Sequence, residues 1–202
     1  MRKEAAKALL KTEALFFRPD DPFTWASGIK SPVYCDNRLV LTDPESRKVI
    51  EEGLIQLIQK EYPQTEAVFG TATAGIPHAA IAGYALDMPM GYVRSEAKDH
   101  GRTNRIEGRV KPGQKVLVIE DLISTGGSVI SAAKALQEAG AEVIGIVSIF
   151  SYNLQKAAEA FAQAGLEYTS LTDFDGACEV AAETGYIKPE DIAYLMEFRN
   201  SL

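Results

Sequence analysis

Cysteine and histidine are scarce in this 202-residue sequence, with two of each, and positive charge is not in excess. Cys35 and Cys178 stand far apart and outside any metal-binding spacing, which argues against a disulfide-stapled domain and against a cysteine-ligated zinc site. The formal net charge of −7 argues against general nucleic-acid binding, for which a basic surface supplies most of the affinity. Apolar runs such as residues 143–150 fall far short of the roughly 18 residues that a membrane span needs. We therefore expect a reduced, cytoplasmic protein with no nucleic-acid partner and no membrane association.

The composition is that of an ordinary folded domain, with 46% hydrophobic and 24% charged residues. The amino-terminal segment MRKEAAKALLKTEALFF mixes charged and apolar residues and reads as an amphipathic helix rather than a signal peptide. No repeat, low-complexity tract or linker divides the chain, so we expect a single domain over residues 1–202.

Short apolar runs alternate with helical segments along most of the chain. The runs predict strands at residues 67–69, 90–93, 116–119, 143–150 and 168–169. Helices are predicted from Pro44 to about residue 61 and at 76–86, 128–139, 154–164, 176–183 and 189–199, whereas residues 13–41 are predicted to be irregular. The alternation predicts an α/β fold with a mostly parallel, five-stranded sheet flanked by helices. In such folds ligands bind at the carboxyl ends of the strands.

The segment VLVIEDLISTGGSVISAAKAL is the most informative part of the sequence. A strand leads into two adjacent acids, Glu120 and Asp121, then into a turn rich in hydroxyls and glycine, and then into a helix. The amides at a helix start, the close approach that glycine permits and three hydroxyls suit one phosphate group. The acids would repel that anion unless they bind something else, and the vicinal hydroxyls of a ribose are good hydrogen-bond donors to a pair that stays anionic.

This segment therefore predicts a ribose 5-phosphate site. It matches neither GxxxxGK[ST] nor GxGxxG, so the usual triphosphatase and dinucleotide patterns are absent. The alternative is an ordinary β–α connection whose acids and glycines bind no ligand.

A second segment, YVRSEAKDHGRTNRIEGRVKPG, is rich in cations and has hardly any apolar side chain. It contains Arg94, Lys98, His100, Arg102, Arg105 and Arg109. On an acidic protein such a stretch favours a loop that closes over a polyphosphate. A solvated β-ribbon whose charges serve solubility is the alternative.

A third segment, FGTATAGIPHAAIAGYAL, places the small-residue turn Thr71–Gly75 between a strand and a helix. Its backbone amides are suited to a second phosphate group, and tight packing of the helix on the sheet is the alternative. His78, one turn into that helix, is expected to be packed rather than catalytic.

Three stretches of the sequence resemble one family. VLVIEDLISTGGS is similar to the phosphoribosyl-pyrophosphate signature of the type I phosphoribosyltransferases. VRSEAKDHGRTNRIEG resembles the catalytic loop of the orotate phosphoribosyltransferases within that family, in their Gram-positive form, and FTWASGIKSPVYCDNR resembles their base-binding segment. The resemblance implies a Rossmann-like core (about residues 42–170) with a small hood (residues 1–41 and parts of 171–202). It also implies a homodimer, and Mg²⁺-dependent formation of orotidine 5′-phosphate and pyrophosphate from orotate and phosphoribosyl pyrophosphate (PRPP).

The resemblance also implies roles for individual residues. Glu120 and Asp121 would contact the ribose hydroxyls, and no protein ligand to the metal is implied because Mg²⁺ would be held mainly by PRPP. Arg94, Lys98 and His100 would meet the pyrophosphate in the partner subunit's site and, with Asp121, form the catalytic set. The 5-phosphate would lie on Leu122, Ile123, Ser124, Thr125, Gly126, Gly127 and Ser128, and the pyrophosphate on Thr71, Ala72, Thr73, Ala74 and Gly75. Orotate would contact Ser124, Lys30 and Tyr34.

The sequence departs from many relatives at positions that carry positive charge there. Ser95, Ala74 and Ala26 replace lysines, and Ser151-Tyr152-Asn153 lacks an orotate-contacting arginine found in other branches. The anchor of the orotate carboxylate is therefore unassigned. A purine phosphoribosyltransferase, a nucleotide-sensing regulator that binds RNA or DNA, and a purely structural α/β module are the rival interpretations.

Overall fold

The computed structural model describes residues 1–24, 30–95 and 105–202, and its centre is a six-stranded sheet. Its strands are β5 (Ala67–Thr71), β6 (Met90–Val93), β7 (Ile106–Glu107), β8 (Lys115–Ile123), β9 (Glu142–Ser151) and β10 (Tyr168–Asp173). They lie in the order β10-β9-β8-β5-β6-β7, and only the edge pair β6–β7 is antiparallel. The five predicted strands are thus the five parallel ones. The two-residue β7 was not predicted because so short an edge strand leaves no periodic pattern.

The chain changes direction across this sheet between β5 and β8. From β5 it passes through α3 (Gly75–Ala85) to β6 on one side, and from β8 it passes through α4 (Gly127–Glu138) to β9 on the other. Because such crossovers are right-handed, α3 and α4 cover opposite faces of the sheet. The carboxyl ends of β5 and β8 therefore flank a topological switch point, where open α/β sheets bind their ligands.

The remaining helices cover the sheet and its ends. They are α1 (Arg2–Lys11), α2 (Pro44–Glu61), α5 (Gln155–Ala164), α6 (Phe174–Glu183) and α7 (Asp191–Ser201). Helix α2 begins as predicted, because the Asp43 side chain accepts a hydrogen bond from the Glu45 amide and Pro44 occupies the first turn. None of the described helices is long and apolar enough to cross a membrane.

The region predicted to be irregular contains four short strands. β1 (Leu15–Phe17) pairs antiparallel with β4 (Val33–Cys35), and β2 (Phe23–Thr24) pairs antiparallel with β3 (Lys30–Ser31). A 3₁₀ helix over Asn37–Thr42 joins β4 to α2. The prediction missed these strands because the prolines and glycines that break up the sequence here lie between them.

His78 is packed, as expected. It is 1% exposed, and its Nδ1 lies 2.7 Å from Oε1 of Glu51, a buried residue of α2. This contact joins α2 to α3 inside the protein, away from solvent.

Candidate active site

The turn that follows β8 presents three hydroxyls to solvent. Ser124, Thr125 and Ser128 are exposed, and no other side chain or backbone group in the described part of the chain binds their hydroxyls. Gly126 precedes α4 with φ +81°, and a Cβ there would lie 2.6 Å from Cε2 of Phe161, so only glycine fits. The first amides of α4 point toward this turn with no carbonyl of their own helix to bind. Hydroxyls, amides and the positive end of the helix dipole together form an anion site.

The two acids lie within β8 rather than after it, because the strand continues to Ile123. Glu120 is 6% exposed and Asp121 is partly exposed. Oε1 of Glu120 accepts hydrogen bonds from the Thr71 hydroxyl, at 2.6 Å, and from the Asp121 amide, at 2.9 Å. The strand thus carries the acids up to the edge where the phosphate turn begins.

In the unliganded protein Glu120 is a weaker acid than a free glutamate. Burial raises the pKa of Glu120 to about 8, and the hydrogen bond and negative charge of the neighbouring Asp121 carboxyl act in the same direction. The hydrogen bond from Thr71 opposes this rise. At neutral pH the protonated form of Glu120 is therefore favoured until a ligand offers donors of its own.

The Thr71–Gly75 turn lies beside the acids, since β5 and β8 are neighbours in the sheet. A Cβ at Gly75 would lie 2.4 Å from the carbonyl oxygen of Ile119, so the start of α3 packs directly on β8. The Ala72 amide donates to the carbonyl of Val93 at 2.8 Å and is not free for a phosphate. Tight packing therefore accounts for Gly75 and Ala72, whereas Thr73 is exposed at the tip of the turn.

Arg94 directly follows β6, so it lies one strand further along the same edge. Its Nη1 lies 3.7 Å from Oε1 of Glu107 and is buried without a hydrogen-bond partner among the described residues. Arg105 donates from Nε to the Arg94 carbonyl and from Nη1 to the Ser131 hydroxyl on α4. Lys98 and His100 lie outside the described residues, so their predicted contacts stay predictions.

The predicted base-binding residues lie on the short strands near the amino terminus. Tyr34 is 39% exposed and packs with Phe16 and Phe23 at centroid distances of 5.5 and 6.0 Å. Arg18 lies over the Phe23 ring at 4.7 Å. Lys30 is exposed on β3. An aromatic face next to cations is suited to a flat, anionic ring.

Sequence reasoning missed Asn37, which connects the two halves of the site. Its Nδ2 donates a 2.7 Å hydrogen bond to the Asp121 carbonyl. An asparagine after an aspartate at a turn is typical of helix capping. Nothing in the sequence pattern distinguishes a capping asparagine from one that binds a distant strand.

Comparisons with known proteins identify the family of this chain. The family model described as "Phosphoribosyl transferase domain" matches residues 39–178. The orotate phosphoribosyltransferase of Bacillus subtilis is 55% identical over 201 residues, covering all of this chain and 93% of the relative. That of Staphylococcus saprophyticus is 54% identical over 202 residues and covers both chains completely.

Solved structures show the same likeness. The crystal structure of orotate phosphoribosyltransferase from Aeropyrum pernix matches with a TM-score of 0.77 and 30% identity, covering 90% of this chain and 98% of the other. The Mycobacterium tuberculosis enzyme in complex with PRPP matches with a TM-score of 0.66 and 26% identity, covering 87% and 98%. With an acid pair and a phosphate turn at the switch point and full-length identity above one half, the chain belongs to the orotate phosphoribosyltransferase family of phosphoribosyl transferase domains.

Proposed function

We propose that this protein transfers ribose 5-phosphate from PRPP to orotate, giving orotidine 5′-phosphate and pyrophosphate in pyrimidine biosynthesis. The observation that carries the proposal is the full-length likeness to orotate phosphoribosyltransferases, combined with an acid pair that leads straight into an open phosphate turn. The test is to mix the protein with PRPP, Mg²⁺ and orotate and to follow the ultraviolet absorbance of orotate. Consumption that requires PRPP supports the proposal, whereas consumption of adenine or hypoxanthine in place of orotate overturns it.

In this proposal the phosphate turn holds the 5-phosphate of PRPP. The hydroxyls of Ser124, Thr125 and Ser128 and the first amides of α4 are all free to donate to it. Ser124 is the turn residue nearest to the acids in sequence and is also proposed to contact orotate. A rigid phosphate-binding turn fixes the position of the reacting ribose carbon relative to the base. This lowers the entropic part of the activation barrier for ribose transfer.

The acids are proposed to hold the ribose through its 2- and 3-hydroxyls. Each hydroxyl donates to a carboxylate, so Glu120 must lose its proton as the sugar binds. Transfer of the ribose passes through a transition state with positive charge on the sugar and growing negative charge on the pyrophosphate. The two carboxylates then both position the ribose and tolerate its charge.

The leaving pyrophosphate is proposed to lie between the Thr71–Gly75 turn and Arg94, with Lys98 and His100 supplied by a partner subunit. Nη1 of Arg94 supports this role, because within the described chain it has the Glu107 carboxylate at 3.7 Å but no hydrogen-bond partner, so an anion can still gain a hydrogen bond from it. His100 is positioned in the chain to donate a proton or a hydrogen bond to the leaving group. Orotate arrives with an almost anionic ring nitrogen, so the reaction requires no strong protein base.

Magnesium is proposed as the cofactor, held mainly by PRPP. Glu120 and Asp121 offer hard carboxylate oxygens, but the described residues contain no group of three or more histidine, cysteine or acidic side chains that could hold a metal ion. This donor set fits Mg²⁺, which usually takes one or two carboxylates and completes its octahedron with phosphate oxygens and water. When bound, the ion neutralises the charge that develops on the pyrophosphate.

A homodimer is proposed because α3 presents an uncharged, apolar outer face. The helix contains no Asp, Glu, Lys or Arg, and Tyr84 on this face is 91% exposed. Ala80 is also exposed, and Ile81 and Met90 add further apolar surface at the same edge of the sheet. A contiguous apolar surface of this kind is typical of a subunit interface.

The division into a core of about residues 42–170 and a hood of residues 1–41 with parts of 171–202 is likewise proposed. Contacts of α1 with α6 and of α6 with α7 support a joint amino- and carboxy-terminal unit. We also propose a cytoplasmic location, since Cys35 and Cys178 are both free thiols.

A further inference from the structure

Asn37 lies where the base-binding strand meets the ribose-binding strand. It is fully buried and begins the 3₁₀ helix two residues after the end of β4, the strand that carries Tyr34. Its Nδ2 donates to the Asp121 carbonyl at 2.7 Å. One side chain thus joins two parts of the candidate site that lie far apart in the sequence.

The Asp121 carbonyl lies beyond the last residue of β8 that pairs with β5. The register of β5 on β8 ends at Gly70 and Ile119, after which β5 turns away toward α3. The amide of Asn37 therefore supplies, at Asp121, a hydrogen bond that the neighbouring strand no longer supplies. Strand β9 still pairs with β8 at Glu120, Leu122 and Ile123, so the Asn37 contact does not position β8 by itself. It ties the segment after β4 to the end of β8 that carries the acids.

The orientation of the Asn37 amide is itself fixed. Its Oδ1 accepts a hydrogen bond from Sγ of Cys35 at 3.4 Å, which leaves Nδ2 as the group facing Asp121. Burial raises the pKa of the Cys35 thiol well above its usual value, so the sulfur stays protonated and remains a donor. These hydrogen bonds connect Cys35, which follows Tyr34 in β4, through Asn37 to the backbone of Asp121.

From this geometry we infer that Asn37 is a positioning residue for the transfer reaction: it holds the base-binding strand and the ribose-binding acids in fixed register, so that orotate faces the ribose carbon. This inference rests on the proposed function. Asn37 itself contacts neither substrate and acts only through Asp121 and β4. Because a displacement of about 1 Å at a reacting centre costs on the order of a hundredfold in rate, one hydrogen bond at this place has a large effect on turnover.

The test compares Asn37→Asp with a matched control, Thr65→Val. The ionised aspartate has the same shape but turns an oxygen toward the Asp121 carbonyl, so the donor is lost and a negative charge is added. A protonated aspartate would donate again, so the activity of this variant is compared across pH. Thr65 is also buried and its Oγ1 also donates to a backbone carbonyl, that of Tyr62, at 2.7 Å. Thr65 precedes β5 at the opposite end of the strand from the site, so Thr65→Val reports the cost of losing a buried hydrogen bond alone.

For each variant kcat and both KM values are measured together with the Tm. We expect kcat of Asn37→Asp at saturating substrates to fall by at least about tenfold per folded molecule, while the control keeps the kcat of the unchanged protein. Cys35→Ser, which retains a donor to Oδ1, is expected to keep most of the activity. If Asn37→Asp does not fold, Asn37→Ser, whose hydroxyl is too short to reach the Asp121 carbonyl, is measured in its place and is expected to lose kcat in the same way.

A kcat within twofold of the control, whatever the Tm, overturns the positioning role and leaves Asn37 as a structural residue. If the unchanged protein itself consumes no orotate, the proposed function fails, and this inference fails with it. The activity of the unchanged protein therefore shows whether the proposed function has failed or only the positioning role of Asn37.

Discussion

The hydroxyl of Thr71 donates a 2.6 Å hydrogen bond to Oε1 of Glu120. Thr71 ends β5 at the start of the proposed pyrophosphate turn, and Glu120 belongs to the proposed ribose-binding pair on β8. The two subsites are therefore in direct contact before any substrate binds. This contact also stabilises the charged form of Glu120 against the effect of burial.

Thr71→Val is expected to weaken PRPP binding by about tenfold at neutral pH, the size of one lost hydrogen bond to a charged group. Without the hydroxyl the pKa of Glu120 rises further, and the cost of ionising it for the ribose increases. The KM for PRPP, measured from pH 6 to 9, should differ most between variant and unchanged protein at the low end.

Thr172→Val is the control for this substitution. Thr172 is 1% exposed, and its Oγ1 has no hydrogen-bond partner within the described chain. The same chemical change there should leave the KM unaltered. Equal effects of the two substitutions would contradict a specific role for the Thr71–Glu120 contact.

Binding of PRPP is expected to release a proton from Glu120. With a pKa of about 8, Glu120 is mainly protonated at pH 7, and donors from the ribose hydroxyls favour its carboxylate form. Calorimetry in buffers of different ionisation enthalpy should detect this release, and Glu120→Gln should remove the part that belongs to the protein. Equal proton release by the two proteins would count against the assignment.

The same group makes stability depend on pH. The folded protein keeps the Glu120 proton up to about pH 8, whereas an unfolded glutamate releases it near 4.5. Unfolding in this window releases a proton, so the free energy of unfolding falls as pH rises from about 4.5 to about 8. Urea unfolding of Glu120→Gln should show a smaller decline over this range, and an unchanged decline would exclude Glu120 as its source.

Tyr84→Glu is expected to dissociate the proposed homodimer. In a two-fold interface each substitution is repeated, so two carboxylates replace two apolar contacts and repel each other. Sedimentation should show monomers, with Tyr194→Glu on α7, at 43% exposure, as the control. A dimer that survives Tyr84→Glu would place the interface elsewhere.

Sharing of sites between subunits is tested by mixing. In a dimer of one Lys98→Ala and one Asp121→Asn chain, a loop that crosses the interface leaves one site intact and one doubly altered. Verified mixed dimers should then recover about half of the unchanged activity. No recovery would show that each subunit uses its own loop.

The fold was predictable because it depends on local pattern. The alternation of apolar runs with helical periods predicts the five parallel strands. The resemblance in VLVIEDLISTGGS predicts roles for the acids and the turn, and the structure places these residues at neighbouring strand ends. The strand β8 exceeded its predicted end because Glu120 and Asp121 read as the start of a turn. Glu120 is in fact buried, and it accepts hydrogen bonds from the Thr71 hydroxyl and the Asp121 amide. The strand therefore continues through polar residues.

Other features depend on contacts that no single-sequence pattern contains. The raised pKa of Glu120 follows from its burial beside Asp121, and the Asn37–Asp121 hydrogen bond follows from the path of a distant segment. The raised pKa of Glu120 and the hydrogen bond of the Asn37 side chain both require that β4, β5 and β8 lie next to one another in the fold.

The most direct measurement is the equilibrium binding of ribose 5-phosphate and of 2-deoxyribose 5-phosphate to the unchanged protein, to Glu120→Gln and to Asp121→Asn. If the phosphate turn seats the sugar phosphate while the acids bind its hydroxyls, the unchanged protein prefers the ribose form by about tenfold or more, and the preference shrinks in both variants while phosphate-dependent binding remains. Equal affinity of the unchanged protein for the two sugars would contradict the account.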